Sequence, residues 1–481
     1  MTGIDTRKRW LALVILCLGE LMIVLDTTIV NVALPSIRED LAFTETSLVW
    51  VVNAYMLTYG GFLLLGGRLG DLFGQRRLFL LGITLFTLAS LVCGLASSQG
   101  LLVAARAVQG LGGAVVSAIA LSLIMNLFSE PADRAKAMGV YGFVCAGGGS
   151  IGVLLGGLLT SALNWHWIFL VNIPIGAAVY ALSVVLLQES RAPAAVRLDV
   201  GGAVTVTASL MLAVYAVVNG NDAGWTSTQT LALLGAAAVL LALFLAIETR
   251  VRDPLMPLRL FRLRSVATAN VVGILWAAAM FAWFFISALY MQLVLGYSAM
   301  QVGLAFLPAN LIMAAFSIGI SARMVMRFGI RMPLAAGLVL TAAGLALFAL
   351  SPVEGSFALH VLPGMTLLGI GCGMAMNPVL LAAMSDVRPS ESGLASGVVN
   401  TSFMMGGALG LAVLASLADA RTGSLLAAGA DSLSALNDGY RIAFAIGAVF
   451  AAVAALLSAA LLRAGSQAPA QGAAEASAAR S

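Results

Sequence analysis

GGRLGDLFGQR occupies residues 66–76, and SARMVMRFGIR occupies residues 321–331. Aligned without a gap, Arg68 coincides with Arg323, Phe73 with Phe328, Gly74 with Gly329 and Arg76 with Arg331, at an offset of 255 residues. A second echo follows: Gly110 and Gly112 match Gly369 and Gly371, at an offset of 259. Long apolar runs flank both copies, so each reads as a tight basic turn between two membrane spans. One six-span unit used twice explains the spacing. The first unit ends near residue 190, and the offset leaves room for one extra hairpin between the copies.

The composition agrees. Of the 481 residues, 61% are hydrophobic and 10% charged, and the mean hydropathy is +1.02. Soluble domains carry about 25% charged residues. A chain this apolar is excluded as a cytosolic enzyme, a nucleic-acid binder or a disordered protein. The net charge of +4 comes from residues scattered through short loops, which fits topology better than a basic ligand face. Cys17, Cys93, Cys145 and Cys372 all sit in apolar runs without a CxxC spacing, and read as buried thiols.

A membrane helix needs about 20 mostly apolar residues. Fourteen runs qualify: 11–32, 47–67, 78–97, 101–126, 137–161, 166–188, 198–219, 228–248, 266–292, 301–324, 333–351, 359–384, 394–418 and 441–463. Residues 420–440 read as extramembranous, and the small polar stretch 464–481 as a disordered tail. Arg7-Lys8-Arg9 before the first run could start a signal peptide. Glu20 and Asp26 within that run, and the lack of a small-residue cleavage site, predict a retained helix instead. With both termini on one side, 21 of the 25 basic residues fall on that side. Arg38, Arg421 and Arg441 fall opposite, and Arg106 lies within a span. The bias makes the side of the termini cytoplasmic. The expected architecture is an all-α integral membrane protein of 14 transmembrane helices, 6+2+6, with both termini cytoplasmic. Its parts are a cytoplasmic N-terminus (1–10), an N-terminal six-helix bundle (11–190), a linker with two extra helices (191–262), a C-terminal six-helix bundle (263–463) and the tail (464–481).

Four stretches carry chemistry. The first is Leu25-Asp26-Thr27-Thr28-Ile29-Val30-Asn31-Val32-Ala33-Leu34-Pro35. An ionisable side chain in mid-membrane is costly unless it meets water or a partner, so Asp26 is a functional candidate. The second is Gly67-Arg68-Leu69-Gly70-Asp71-Leu72-Phe73-Gly74-Gln75-Arg76-Arg77, whose glycines permit a tight turn. Met326 replaces the Asp in the second copy. The third is Arg106-Ala107-Val108-Gln109-Gly110-Leu111-Gly112-Gly113, where a lone mid-span Arg must find a carboxylate, carbonyls or water. The fourth is Gly147-Gly148-Gly149-Ser150-Ile151-Gly152-Val153-Leu154-Leu155-Gly156-Gly157, whose glycines allow close helix approach. It contains G-x-S-x-G by accident, with no preceding strand to make a nucleophile elbow.

These stretches resemble the major facilitator superfamily, and within it the 14-span drug:proton antiporters, over residues 10–463. The resemblance implies two parallel halves and alternating access. It implies proton coupling through Asp26 and Arg106, and a conformational latch at Gly67, Arg68, Asp71, Gly74, Arg76 and Arg77. It also implies an antiporter motif at Gly148, Gly152, Gly156 and Gly157, with Val153 where that motif has Pro. WVVNAYMLTY (50–59), Asn164 to Phe169 with Asn172 and Pro174, and residues 393–410 resemble further spans of the group; Phe403 stands where the group often has Arg, which implies a more apolar cavity.

Glu20 is a second acid in the first span and is not part of that pattern. Six residues separate it from Asp26, which turns it about 120° around the helix. It is a second protonation site or a hook for cations. Candidate cavity residues are Asn31, Asn53, Tyr55, Gln109, Trp276, Met280, Trp283, Asn377, Asn400 and Phe403. His166 and His360 are the two histidines and form no metal-spaced cluster, so no metal and no cofactor other than the coupling proton is expected. The expected function is proton-coupled export of apolar or cationic drugs, or of a secondary metabolite, across a bacterial plasma membrane. The expected partners are the small-molecule substrate and the bilayer. An uptake symporter or facilitator on the same fold is the alternative, favoured by Val153; a receptor or enzyme without transport is a remote third.

Overall fold

The computed structural model describes residues 6–128, 130–187, 199–251, 254–384, 386–387 and 392–462. The expected tail and residues 191–198 of the linker lie outside them. Among the described residues there is helix and no strand. The first bundle contains α1 (Thr6–Leu41), α2 (Glu45–Phe73), α3 (Gln75–Gly94), α4 (Gln99–Leu127), α5 (Pro131–Ala162), α6 (Trp167–Leu170) and α7 (Asn172–Leu186). A hairpin of α8 (Val200–Ala223) and α9 (Thr228–Arg250) follows. The second bundle contains α10 (Arg264–Leu289), α11 (Ala299–Ala315), α12 (Ser321–Phe328), α13 (Arg331–Ala349), α14 (Leu362–Met384), α15 (Ser392–Ala427) and α16 (Ser432–Leu461). Helix occupies every one of the fourteen apolar runs, and eleven described helical segments are long and apolar enough to cross a membrane. The stretch 420–440 is mostly helix: α15 and α16 run on beyond the apolar runs and meet in a short turn.

Five of the helix starts at the end away from the termini are capped by side chains. Thr44 accepts from Ser47 N, Ser98 from Leu101 N, Ser227 from Thr230 N, Ser298 from Gln301 N and Asp431 from Ser434 N. Each satisfies a backbone donor that the helix leaves free. At the other end, the repeated basic turns are built alike. Gly74 has φ 95° and Gly329 has φ 74°, a region open to glycine at little cost. The repeated glycine therefore encodes the same helix–turn–helix corner in both halves.

The packing repeats as well. In the first bundle α1 lies on α5 and α7, α2 and α3 lie on α4, and α3 lies on α7. In the second, α10 lies on α15 and α16, α11 and α13 lie on α14, and α13 lies on α16. The halves meet along two seams, α2 with α15 and α5 with α11. The hairpin breaks this symmetry: α8 packs on both α2 and α15 and covers one seam. Its partner α9 is largely exposed along an apolar surface, as a lipid-facing helix is.

Hydrogen bonds tie the halves together toward the end away from the termini. Gln292 Nε2 donates to Val32 O at 3.0 Å, and Met300 N to Ser161 Oγ at 3.1 Å. Tyr440 Oη donates to Glu45 Oε2 at 3.2 Å, while Arg38 Nη1 donates to Glu45 Oε1 at 3.0 Å. Glu45 is thus clasped from both halves. A hydrogen bond to a charged group contributes about 1.5–3 kcal/mol. Tyr440→Phe is expected to loosen this end, seen as faster labelling of a cysteine placed at Val294 by an impermeant maleimide. An unchanged labelling rate would show that the clasp carries no load.

Candidate functional site

The first bundle holds a closed polar core. Asp26 projects from α1 and is fully buried, and Arg106 of α4 is 1% exposed. They form an ion pair between Arg106 Nη1 and Asp26 Oδ2. The other carboxylate oxygen, Oδ1, accepts from Gln109 Nε2 at 2.7 Å and from Asn172 Nδ2 at 3.0 Å. Arg106 also donates from Nε to Val51 O at 2.9 Å and from Nη1 to Gln109 Oε1 at 2.7 Å. Its guanidinium lies 4.4 Å from the centre of the Tyr55 ring, close enough for a cation–π contact. Ser90 Oγ closes the network by accepting from Gln109 and Asn172 and donating to Phe169 O.

Local sequence positions each part. Arg106 and Gln109 are three apart on α4 and share a face. Gly110 and Gly113 lie beside them, and an added Cβ would strike Tyr55 at either position. Small residues there let α2 close on α4 and bring the Tyr55 ring over the guanidinium. A buried ion pair is stable when its remaining hydrogen bonds are met, and both oxygens of Asp26 are occupied.

Glu20 lies elsewhere. It is 5% exposed, with Ser117 of α4 and Tyr141 of α5 against its carboxyl. Its Oε2 has no hydrogen-bond partner, and among the described residues it forms no ion pair. Six residues of helix place it about 9 Å nearer the terminal side than Asp26. The span thus carries one neutralised acid and one with no counter-charge among the described residues.

The glycines of the fourth stretch set two helix contacts. A Cβ on Gly148 would press on Val24 and Leu21 of α1, on Gly152 it would meet Leu25 O at 3.0 Å, and on Gly156 it would meet Ile29 O at 2.7 Å. At Gly157 it would stand 2.8 Å from Ala299 O, across the seam in α11. The stretch therefore seats α5 against α1 and the opposite half together. Helix α5 runs unbroken through Val153, the position where a Pro would remove a hydrogen bond. In the latch stretch, Gly67, Arg68 and Asp71 have side-chain surroundings outside the described residues. Gly74 makes the turn, Arg76 Nη2 donates to Val184 O of α7, and Arg77 is exposed.

The cavity candidates separate into groups. Tyr55 and Gln109 belong to the polar core. Asn53 Nδ2 donates across the seam to Ala408 O at 2.9 Å, and Asn31 Nδ2 bonds back to Thr27 O on its own helix. The Trp276 and Phe403 rings lie 5.3 Å apart and tilted by 59°, with Phe281 5.8 Å from Phe403 and edge-on to it. Met280 is partly buried against this cluster. Trp283 packs separately on Phe284 and Phe306. Asn377 Nδ2 donates to Ser317 O at 2.6 Å within the second bundle, and Asn400 is half-buried on α15. Asn172 and Ser90 were not anticipated as site residues. Asn172 stood in a recognisable stretch without a role, and Ser90 is a lone serine in an apolar helix with no sequence signal.

Known proteins agree with this architecture. The family model of the Major Facilitator Superfamily matches residues 16–411. The puromycin resistance protein pur8 of Streptomyces alboniger is 40% identical over 92% of this chain and 89% of its own. A cephamycin export protein of Amycolatopsis lactamdurans is 40% identical over 84% of each chain, and a lincomycin resistance protein of Streptomyces lincolnensis is 36% identical over 86% and 85%. A bacterial homologue of the human lysosomal transporter Spinster, solved inward-facing and unoccupied, shares the fold with a TM-score of 0.70. It is 16% identical over 96% of this chain and 98% of that one. Two helical bundles meeting along two seams, with a charged core in one of them, form the architecture of a membrane transporter. The chain belongs to the major facilitator superfamily. It is a multi-pass membrane transporter of small molecules and not an enzyme.

Proposed function

We propose that the chain exports apolar or cationic drugs or a secondary metabolite, in exchange for protons entering the cell. The observation that carries this reading is the pair of acids on α1. Asp26 is held by Arg106, Gln109 and Asn172, and Glu20 has a bare buried oxygen and no counter-charge. Glu20 takes either a proton or a substrate cation, so each displaces the other. A proton arriving from the far side reaches Asp26 first and weakens its hold on Arg106. That loosens α1 from α4 and α7 and favours rocking between the two faces. Passing the proton on to Glu20 expels the substrate and restores the ion pair. Its relatives' roles in resistance to puromycin and lincomycin and in cephamycin export support a drug or metabolite as cargo. The aromatic wall of Trp276, Phe281 and Phe403 suits an apolar portion of that cargo.

The test is uptake of a labelled lipophilic cation into everted vesicles carrying an inside-acid gradient. Wild type is expected to accumulate it, and Glu20→Gln to lose at least tenfold of the rate while keeping wild-type expression. Equal accumulation by Glu20→Gln would remove Glu20 from the mechanism. Equilibration without accumulation in wild type would identify a facilitator, the alternative that Val153 favours.

A further inference from the structure

The hairpin that covers the α2–α15 seam contains a second pair of buried acids, remote from the core described above. Asp199 caps α8, its Oδ1 accepting from Gly202 N at 2.7 Å. Glu248 lies in the last turns of α9, its Oε2 accepting from Met256 N at 3.0 Å. The residues are 3% and 4% exposed. Each keeps one oxygen without a partner, Asp199 Oδ2 and Glu248 Oε1. Those two oxygens flank the same glycine. A Cβ on Gly202 would stand 2.9 Å from Glu248 Oε1 and closer still to Asp199 Oδ2, so the two bare oxygens crowd one small space beside that glycine.

The surroundings are apolar: Leu65 and Leu69 of α2, with Phe62, pack on Ala203 and Leu255. Among the described residues neither acid forms an ion pair. Arg250, Arg259 and Arg262, the charged residues of the adjoining segments, are exposed. The side chains of Arg68 and Asp71 on α2, and Arg197, Arg252 and Asp253, fall outside the described residues. Helix α15 carries Asp419 and Arg421 at its opposite end. Two carboxylates this close in an apolar pocket repel unless something positive lies between them, and a like-charged pair relieves this by retaining one proton.

We propose that Asp199 and Glu248 are a proton-binding site, with one proton bridging Asp199 Oδ2 and Glu248 Oε1 and tying the base of the α8–α9 hairpin beside α2. The proton exchanges with water on the side of the termini. Its loss sets two charges against each other and parts the helices at their base. The site senses alkalinity on that side, separately from transport through the bundle.

Thermal unfolding of the purified full chain in detergent, measured as a function of pH, tests this without any transport assay. The folded pair holds a proton that solvated carboxyls in the unfolded chain release. Stability is therefore present at low pH and lost as pH rises, with the unfolding equilibrium moving by up to tenfold per pH unit. Asp199→Asn and Glu248→Gln supply an amide hydrogen for the bridge, so each is expected to keep the neutral-pH melting temperature and lose that slope. Gly202→Ala wedges the oxygens apart without altering either acid and is expected to remove the slope as well. In infrared spectra at neutral pH, wild type should show more protonated-carboxyl absorbance than either amide variant, the contribution of Glu20 being common to all three. Superimposable pH profiles for wild type and the three variants, with equal carboxyl absorbance in wild type and the two amide variants, would overturn the proposal. So would stabilisation of wild type by added Mg²⁺ or Ca²⁺ that chelation reverses and Glu248→Gln abolishes, which would make the site a cation site instead.

Discussion

Asp26→Asn is expected to abolish coupled efflux and to lower the stability of the first bundle together. The carboxylate receives Arg106 on one oxygen and Gln109 and Asn172 on the other. An amide keeps the shape but removes the charge, leaving a buried guanidinium with Val51 O, Gln109 Oε1 and the Tyr55 ring. Stranding one member of a buried ion pair costs about 3–5 kcal/mol. The melting temperature should fall accordingly. Adding Arg106→Gln removes the stranded charge, so the double variant should recover much of the stability and none of the transport. This split separates the two roles of the core. If the double variant recovers transport as well, the pair is purely architectural. If the single variant melts like wild type, the Asn has found partners that the geometry does not provide.

Gly156→Val is expected to have the second largest effect. A Cβ there meets Ile29 O at 2.7 Å and Ile29 Cγ1 at 3.0 Å. The obstacle includes backbone, which no rotamer change relieves, and Val adds two methyl groups to it. Overpacking typically costs about 1–3 kcal/mol and occasionally more. Here α5 also touches α11 through Gly157, so pushing α5 away from α1 disturbs the seam between the halves. The expected result is a strong loss of folded protein after membrane extraction, read by size-exclusion chromatography. Gly149→Ala is the control: its Cβ would have only ordinary contact with Thr28 Cγ2 at 3.8 Å, and it should behave as wild type. Equal yields of Gly156→Val and wild type would show that the α1–α5 contact is not needed at this spacing.

Much of the fold was legible in the sequence because membrane helices advertise themselves by length, and because a turn used twice leaves two matching glycines. Gly74 and Gly329 adopt the same kind of positive φ because both halves turn the same corner. The partners of Asp26 were partly legible: Arg106 stands out as a lone mid-span cation, and Gln109 follows it on the same face. Ser90 and Asn172 were not, since a small polar residue in an apolar helix looks like any other until a distant acid meets it. Asn53 was named as a cavity candidate, and its amide bond to Ala408 across the seam had no signal in the sequence. Asp199 and Glu248 flank loops, where acids are ordinary, and only the folded hairpin brings them to one glycine.

Exchange of substrate for protons is tested most directly by following both at once. In everted vesicles of a pump-deficient host with an inside-acid gradient, luminal pH is recorded while lipophilic cations and neutral aromatics are added in turn. With proton exchange, an exported compound makes the lumen less acidic, and Asp26→Asn and Glu20→Gln each lose the response. Movement of a labelled compound with no change in luminal pH would contradict it.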